Sequence, residues 1–124
     1  MLDFRGHGQK HVVAATDEGL VTAFQADGKQ AWARYLPSAP RSLCSLPRDA
    51  GDLLAVGCDD GLLLWIGATG KPVAKAQLAG AVRRLYAIRN GLRLILFAGT
   101  GTGDVALFHS LPDGTPIPSD GAGL

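Results

Sequence analysis

Residues 53–66 have the sequence LLAVGC-DDG-LLLWI, in which an acidic turn separates two short apolar runs. Each run lasts only five or six residues, whereas helices usually need about ten or more. Asp-Gly between short apolar runs is a strong hairpin signal, because glycine accepts the positive φ that tight turns need. The runs are apolar at nearly every position, as expected of a sheet that is covered on both faces. The stretch therefore predicts a hairpin inside a buried sheet.

This pattern recurs along the chain. A shift of 42 residues aligns the sequence with itself without a gap over most of its length, and the alignment slips by two residues only near Asp113 and Gly114. The matching positions are turn glycines and apolar strand residues: Gly19, Gly61 and Gly103; Val13, Ala55 and Phe97; Val21, Leu63 and Val105; Phe24, Ile66 and Phe108. The sequence therefore contains three copies of one structural unit.

Each copy predicts four short strands. In the second copy they are Ser42–Leu46, Leu53–Cys58, Leu62–Ile66 and a more polar last strand, Lys71–Gln77. Four-stranded units of about 40 to 45 residues are the signature of β-propeller blades, and a polar outer strand guards the edge of a sheet against pairing. We therefore expect an all-β fold of three four-stranded antiparallel blades, at 1–34, 35–77 and 78–118, followed by a tail at 119–124.

Two segments carry a family resemblance. Val12–Phe24 followed by Asp27–Trp32 resembles a blade of the quinoprotein-like propellers, which have an apolar strand, an Asp-Gly turn, a strand ending in Ala-aromatic, a Gly-Lys turn and then Trp. Leu53–Lys75 is similar to the same blade and equally to a WD-repeat blade, with Leu64 and Trp65 where that family often has an aliphatic-Trp pair. The resemblance covers residues 1–117 and implies a propeller. The sequence has no Trp-Asp dipeptide, so the family within this superfold stays open.

The composition narrows the classes of partner and compartment. The formal net charge is +1 and only 19% of residues are charged, which does not favour an electrostatic nucleic-acid binder. No stretch approaches the roughly 20 apolar residues of a membrane span, and Met1–Arg5 lacks the apolar run of a signal peptide. Cys44 and Cys58 have no CxxC neighbourhood and are interpreted as buried free thiols. These features predict a soluble, intracellular protein of the cytoplasm.

Candidate chemical motifs have simpler structural interpretations. Gly99–Gly103 resembles a glycine-rich dinucleotide loop, but such a loop needs a following helix, and Asp104–Phe108 has the pattern of a strand. His7, His11 and His109 fall on different blades or loops with no carboxylate at ligand spacing. The sequence therefore predicts no catalytic residue, no cofactor and no metal.

The number of blades suggests association. Propellers close with about four to eight blades, so the outer faces of blades one and three would leave apolar strands exposed. We expect a non-catalytic scaffold or protein-interaction module that completes its ring with further blades. These blades come from a second copy, to give six, from other chains of a complex, or from a parent protein of which these residues are a part. A fragment of a PQQ-dependent quinoprotein dehydrogenase and a sugar-binding propeller are the alternatives. The predicted interaction face consists of Asp17, Glu18, Arg34, Arg41, Asp59, Asp60, Arg83 and Arg84.

Overall fold

The computed structural model describes residues 11–46, 51–90, 93–110 and 116–118. Within these ranges the chain forms eleven strands and no helix. The strands, in chain order, are β1 (His11–Ala15), β2 (Leu20–Gln25), β3 (Gln30–Tyr35), β4 (Pro40–Leu46), β5 (Leu53–Cys58), β6 (Leu62–Ile66), β7 (Pro72–Gln77), β8 (Val82–Asn90), β9 (Arg93–Thr100), β10 (Val105–Ser110) and β11 (Pro116–Pro118).

The strands form three antiparallel sheets, each from strands that follow one another in the sequence. Blade one contains β1-β2-β3, blade two β4-β5-β6-β7 and blade three β8-β9-β10-β11. The predicted all-β class with three antiparallel blades is confirmed. Blades two and three have four strands, and blade one has three within the described residues. The first strand predicted for blade one and the predicted tail at 119–124 lie outside the described residues, as does His7.

The middle blade has an apolar core on each face. Alternate residues of β5 and β6 point to opposite sides of the sheet. The core towards blade one combines residues of both blades, namely Val21, Ala23, Trp32, Leu54, Val56, Leu64 and Ile66. The core towards blade three combines Leu53, Ala55, Leu63, Trp65, Val82, Leu96, Ala98 and Phe108. Because a neighbouring blade covers each face of blade two, residues 53–66 are apolar at nearly every position.

The links between blades lie against the turns that precede β2, β6 and β10. In the first link, Leu36 N–H donates to Gly19 O of blade one at 2.8 Å, and Ala39 O accepts from Asp59 N–H of blade two at 2.8 Å. The second link repeats both bonds, from Leu78 to Gly61 and from Gly101 to Ala81. Each link is therefore fixed to the blade before it and to the blade after it at one end of the sheets.

Candidate interaction site

Arg41 lies between two acidic turns. It is the second residue of β4, next to the link, and its Nε is 3.1 Å from Oδ1 of Asp59 in its own blade. Its Nη1 is 3.9 Å from Oδ1 of Asp17 in blade one, whose side chain is nearly fully exposed. Because these groups are exposed to solvent, each ion pair contributes little to stability. The structure therefore brings three of the predicted residues together as one mixed-charge patch at the end of the sheets.

The remaining acidic residues have different surroundings. The Asp60 carboxylate accepts the Leu62 N–H at 3.0 Å, and its backbone carbonyl accepts from Gln77 at 2.8 Å. This is the local hydrogen bonding by which aspartate stabilises a turn. Glu18 is exposed. Asp60 thus has a structural role in the turn, and Glu18 presents its charge to solvent beside Asp17.

Arg34 belongs to the interface between blades one and two. Its guanidinium donates to Gly70 O at 3.4 Å, in the turn between β6 and β7. Gly70 also packs on Trp32, since an added Cβ would lie 2.7 Å from the indole Cδ2. Arg34 and Trp32 therefore hold this turn of blade two against β3. This contact could not be predicted from the sequence, because it depends on the relative position of two blades.

Arg83 and Arg84 of β8 make no side-chain ion pair or hydrogen bond with the described part of the chain. Arg83 packs over Gly101, where an added Cβ would lie 2.7 Å from its Nε. Arg84 lies opposite Gly99 in the β8–β9 pairing. Both arginines line a groove of about 430 Å³, together with Tyr86 and other residues of blades two and three. Four predicted arginines thus occupy three different environments, and their use as a binding surface stays a prediction.

The outer flank of blade three is apolar and exposed. We define it as Tyr86, Ile88, Ile95, Phe97, Val105 and Leu107, which the strand pairing places on the face away from blade two. Val105 is 40% exposed and Tyr86 is 68% exposed. Val105 occupies the position of Leu63 in the 42-residue repeat, and Leu63 is completely buried against blade three. Blade three therefore keeps the apolar pattern of an inner face on a side against which no further sheet of the described residues packs.

Blade one also presents apolar side chains on its outer face. Val12 is 49% exposed and Tyr35 is 73% exposed. Both lie on the face opposite to Val21 and Ala23, which pack towards blade two. The described residues thus end in an apolar flank at each side of the three-bladed arc.

The two thiols are poor candidates for nucleophilic chemistry. Cys58 is completely buried, and burial, followed by the nearby charge of Asp60, raises its pKa from 9.0 to about 11. Burial likewise raises the pKa of Cys44 above its ordinary value. Since the thiolate is the reactive form, both side chains are weak nucleophiles at neutral pH.

Residues 11–46, 51–90, 93–110 and 116–118 contain no group of three or more His, Cys, Asp or Glu that could hold a metal ion. The same part of the chain contains no helix long and apolar enough to cross a membrane.

The chain resembles known proteins in structure and not in sequence. No protein-family model and no curated protein matches the sequence. Two crystal structures of BBS1N in complex with ARL6DN, soaked with mercury and with lead, match with TM-scores of 0.71 and 0.72 at 20% identity. The alignments cover 91% and 93% of this chain and 33% of those chains.

BamB from Moraxella catarrhalis matches with a TM-score of 0.62 at 24% identity, over 82% of this chain and 29% of that chain. The chain thus spans about a third of the length of these solved structures. At these identities the likeness is one of fold. Together with the three sheets and their shared cores, it assigns the described residues to a β-propeller fold, of which they form three consecutive blades.

Proposed function

We propose that the chain is a non-catalytic β-propeller module for protein interaction, which completes its ring by binding further blades. In the simplest arrangement a second copy supplies three further blades, which gives a six-bladed ring. The observation that carries this proposal is the outer flank of blade three, where Tyr86 and Val105 are exposed at positions that face a neighbouring blade. The two free cysteines fit a reducing compartment, and we place the module in the cytoplasm.

The energetics support association through the flanks. Fully burying one large apolar side chain stabilises a complex by about 1.5–3 kcal/mol, and the flank of blade three offers six such residues. Three blades are half of a six-bladed ring, so a two-fold axis along the ring axis closes two copies with two identical interfaces. The two copies lose translational and rotational freedom only once, at a cost of about 4–15 kcal/mol, while two interfaces form.

The solved structures provide a precedent for the class of partner. The BBS1N structures are of a complex with ARL6DN, so a domain with a similar arc of blades takes part in a protein complex. A sugar-binding propeller has less support, because Trp32 and Trp65 are buried between blades and cannot stack on a sugar.

Charge substitutions on the flank test the proposal. Val105→Asp places a carboxylate where a further blade would pack, and we expect sedimentation velocity to show a shift towards the single chain. Val73→Asp is the matched control, since Val73 is exposed on β7 and not on a flank. Equal association of both variants and the unaltered chain would contradict the proposal. Tyr86→Ser provides a second, uncharged disruption of the same flank.

A further inference from the structure

The interface between blades two and three contains one large ring from blade two. Trp65 of β6 contacts Phe108 of β10 edge to face, with ring centroids 5.2 Å apart. The same core contains Ala98 and Ala106 of blade three, which pair with each other across β9 and β10. Because alanine side chains are small, this pair leaves room for a bulky side chain from the neighbouring blade. A ring on one blade is thus matched by a small pair and a phenylalanine on the next.

The outer flank of blade three carries its bulk at the same two positions. In blade two, Trp65 pairs with Ala55 across β5 and β6. The repeat counterparts of these residues are Leu107 and Phe97, which pair with each other across β9 and β10. The aromatic ring therefore lies one strand nearer to the first strand of the blade, and the leucine takes the place of the indole. Both side chains are partly exposed.

The outer face of blade one repeats the matching pattern of small and large residues. Ala14 and Thr22 pair across β1 and β2, at the repeat positions of the two alanines of blade three. Phe24 has the position of Phe108 and is partly exposed, and its cross-strand neighbour Val12 is 49% exposed. Blade one therefore has a small pair and a phenylalanine on the face away from blade two.

We propose that blade three of one copy packs on the outer face of blade one of a second copy, with Leu107 against Phe24. The ring of Phe97 then lies over Ala14 and Thr22. The inference rests on the proposed function and deepens it, because it names the two surfaces that meet and the residues that match. Continuity with the interface between blades two and three supports it, since each of these residues has its repeat counterpart in that closed core.

Packing of blade three on blade three of the second copy is the alternative arrangement. It would place Phe97 and Tyr86 against the same bulky residues of the other copy, without a small pair to receive either ring. It would also leave the exposed Val12 of both copies uncovered. Packing of blade three on blade one covers both flanks of both copies and closes the assembly.

Complementary charges test which surfaces meet. Leu107→Lys and Phe24→Glu are made singly and together, and the dimer dissociation constant is measured by sedimentation velocity. Each single variant should raise this constant at least about tenfold, because its charge is buried without a partner. In the double variant a lysine of one copy faces a glutamate of the other at both interfaces. We expect most of the affinity to return at low salt and to decrease as salt rises.

The control and a second variant complete the experiment. Leu107→Lys combined with Val73→Glu should stay as weak as Leu107→Lys alone, since Val73 is exposed on β7 and not on a flank. Circular dichroism shows whether each variant folds, and Val12→Glu replaces Phe24→Glu if the latter does not.

The outcomes separate this inference from the proposed function. If the unaltered chain associates, then an unchanged dissociation constant in a single variant, no recovery in the double variant, or equal recovery in the control overturns the inference alone. If the unaltered chain never associates, the dimeric ring is overturned and this inference with it. Recovery in the double variant alone supports both.

Discussion

Blades two and three have the same strand order and the same repeat, yet their outward faces have different environments. Trp65 of blade two is 2% exposed and contacts Phe108 edge to face, with ring centroids 5.2 Å apart. Its repeat counterpart in blade three, Leu107, is only partly buried. The difference shows that a blade keeps apolar residues on a face where a neighbouring blade would pack, even when the described residues contain no such blade. Substitutions at positions 42 residues apart can therefore separate the effect of a side chain from the effect of its neighbour.

The largest difference in the free energy of unfolding is expected between Trp65→Ala and Leu107→Ala. Trp65→Ala should lower the free energy of unfolding by about 3–5 kcal/mol, because it empties a closed interface. Leu107→Ala should cost less than about 1.5 kcal/mol in dilute protein, since its side chain is partly hydrated already. Urea denaturation measures both values. Equal losses in dilute protein would show that the flank of blade three is closed by the chain itself.

Gly57 and Gly99 form the next pair. An added Cβ on Gly57 would lie 2.7 Å from Cβ of Val82, whereas a Cβ on Gly99 would approach nothing nearer than 3.8 Å. Neither Gly57 nor Gly99 has a positive φ, so alanine fits the backbone at both positions. Gly57→Ala should destabilise by about 1–3 kcal/mol because its Cβ meets Val82. Gly99→Ala should be neutral or stabilise by up to about 1 kcal/mol, because glycine in a strand carries an entropic cost. Thermal unfolding of the two variants checks this, and a destabilised Gly99→Ala would contradict the free space beside Gly99.

Cys58 predicts a dependence of stability on pH. In the unfolded chain the thiol titrates near its ordinary pKa of 9.0, and in the folded chain its pKa is about 11. Between these values the unfolded chain has lost the proton and the folded chain retains it, so the stabilisation present below about pH 9 is lost as the pH rises to about 11. Cys58→Ala should make this decline of the urea midpoint shallower. Thr100→Ala, at the counterpart position in blade three, should leave the decline as steep as in the unaltered chain.

The smallest difference in stability is expected between two substitutions of charged residues near the links. Arg41→Gln should destabilise by about 0.2–1 kcal/mol at low salt, because Arg41 pairs with Asp59 and Asp17. Arg83→Gln should have no measurable electrostatic effect, since the counterpart of Asp59 in blade three is Gly101. Denaturation at low and high salt separates the two, and a salt-dependent loss in Arg83→Gln would indicate an acidic partner at Arg83.

Most of the fold could be predicted from the sequence because its signals are local. Short apolar runs, turn glycines and the 42-residue repeat depend on neighbouring residues, and the two-residue slip near Asp113 agrees with β11 beginning at Pro116. The predicted interaction face was harder to place. Arg34 reaches a turn of the next blade, and the bulge between Val82 and Arg84 alters the direction of the side chains that follow. The contact of Arg34 depends on packing between blades, which a repeat alignment does not contain. The bulge recurs in blade two between Pro40 and Ser42, so it belongs to the strand pairing within a blade.

The free space beside Gly99 had a signal in the sequence, namely the alignment of Gly99 with Gly57. That signal could not be interpreted without coordinates. At Gly57 the missing side chain makes room for Val82 of the next blade. At Gly99 the same space is free, because no strand of a further blade lies beside it in the described residues. Glycine at a repeated strand position is thus a useful indicator of close approach between blades.

The molar mass of the unaltered chain tests the central claim most directly. Static light scattering over a wide range of concentrations should show a rise from the 12.9 kDa of one chain towards twice that value, with no larger species, as expected of a ring closed by two copies. A folded chain that keeps the mass of one copy at every concentration would contradict the proposal that a second copy covers its flanks.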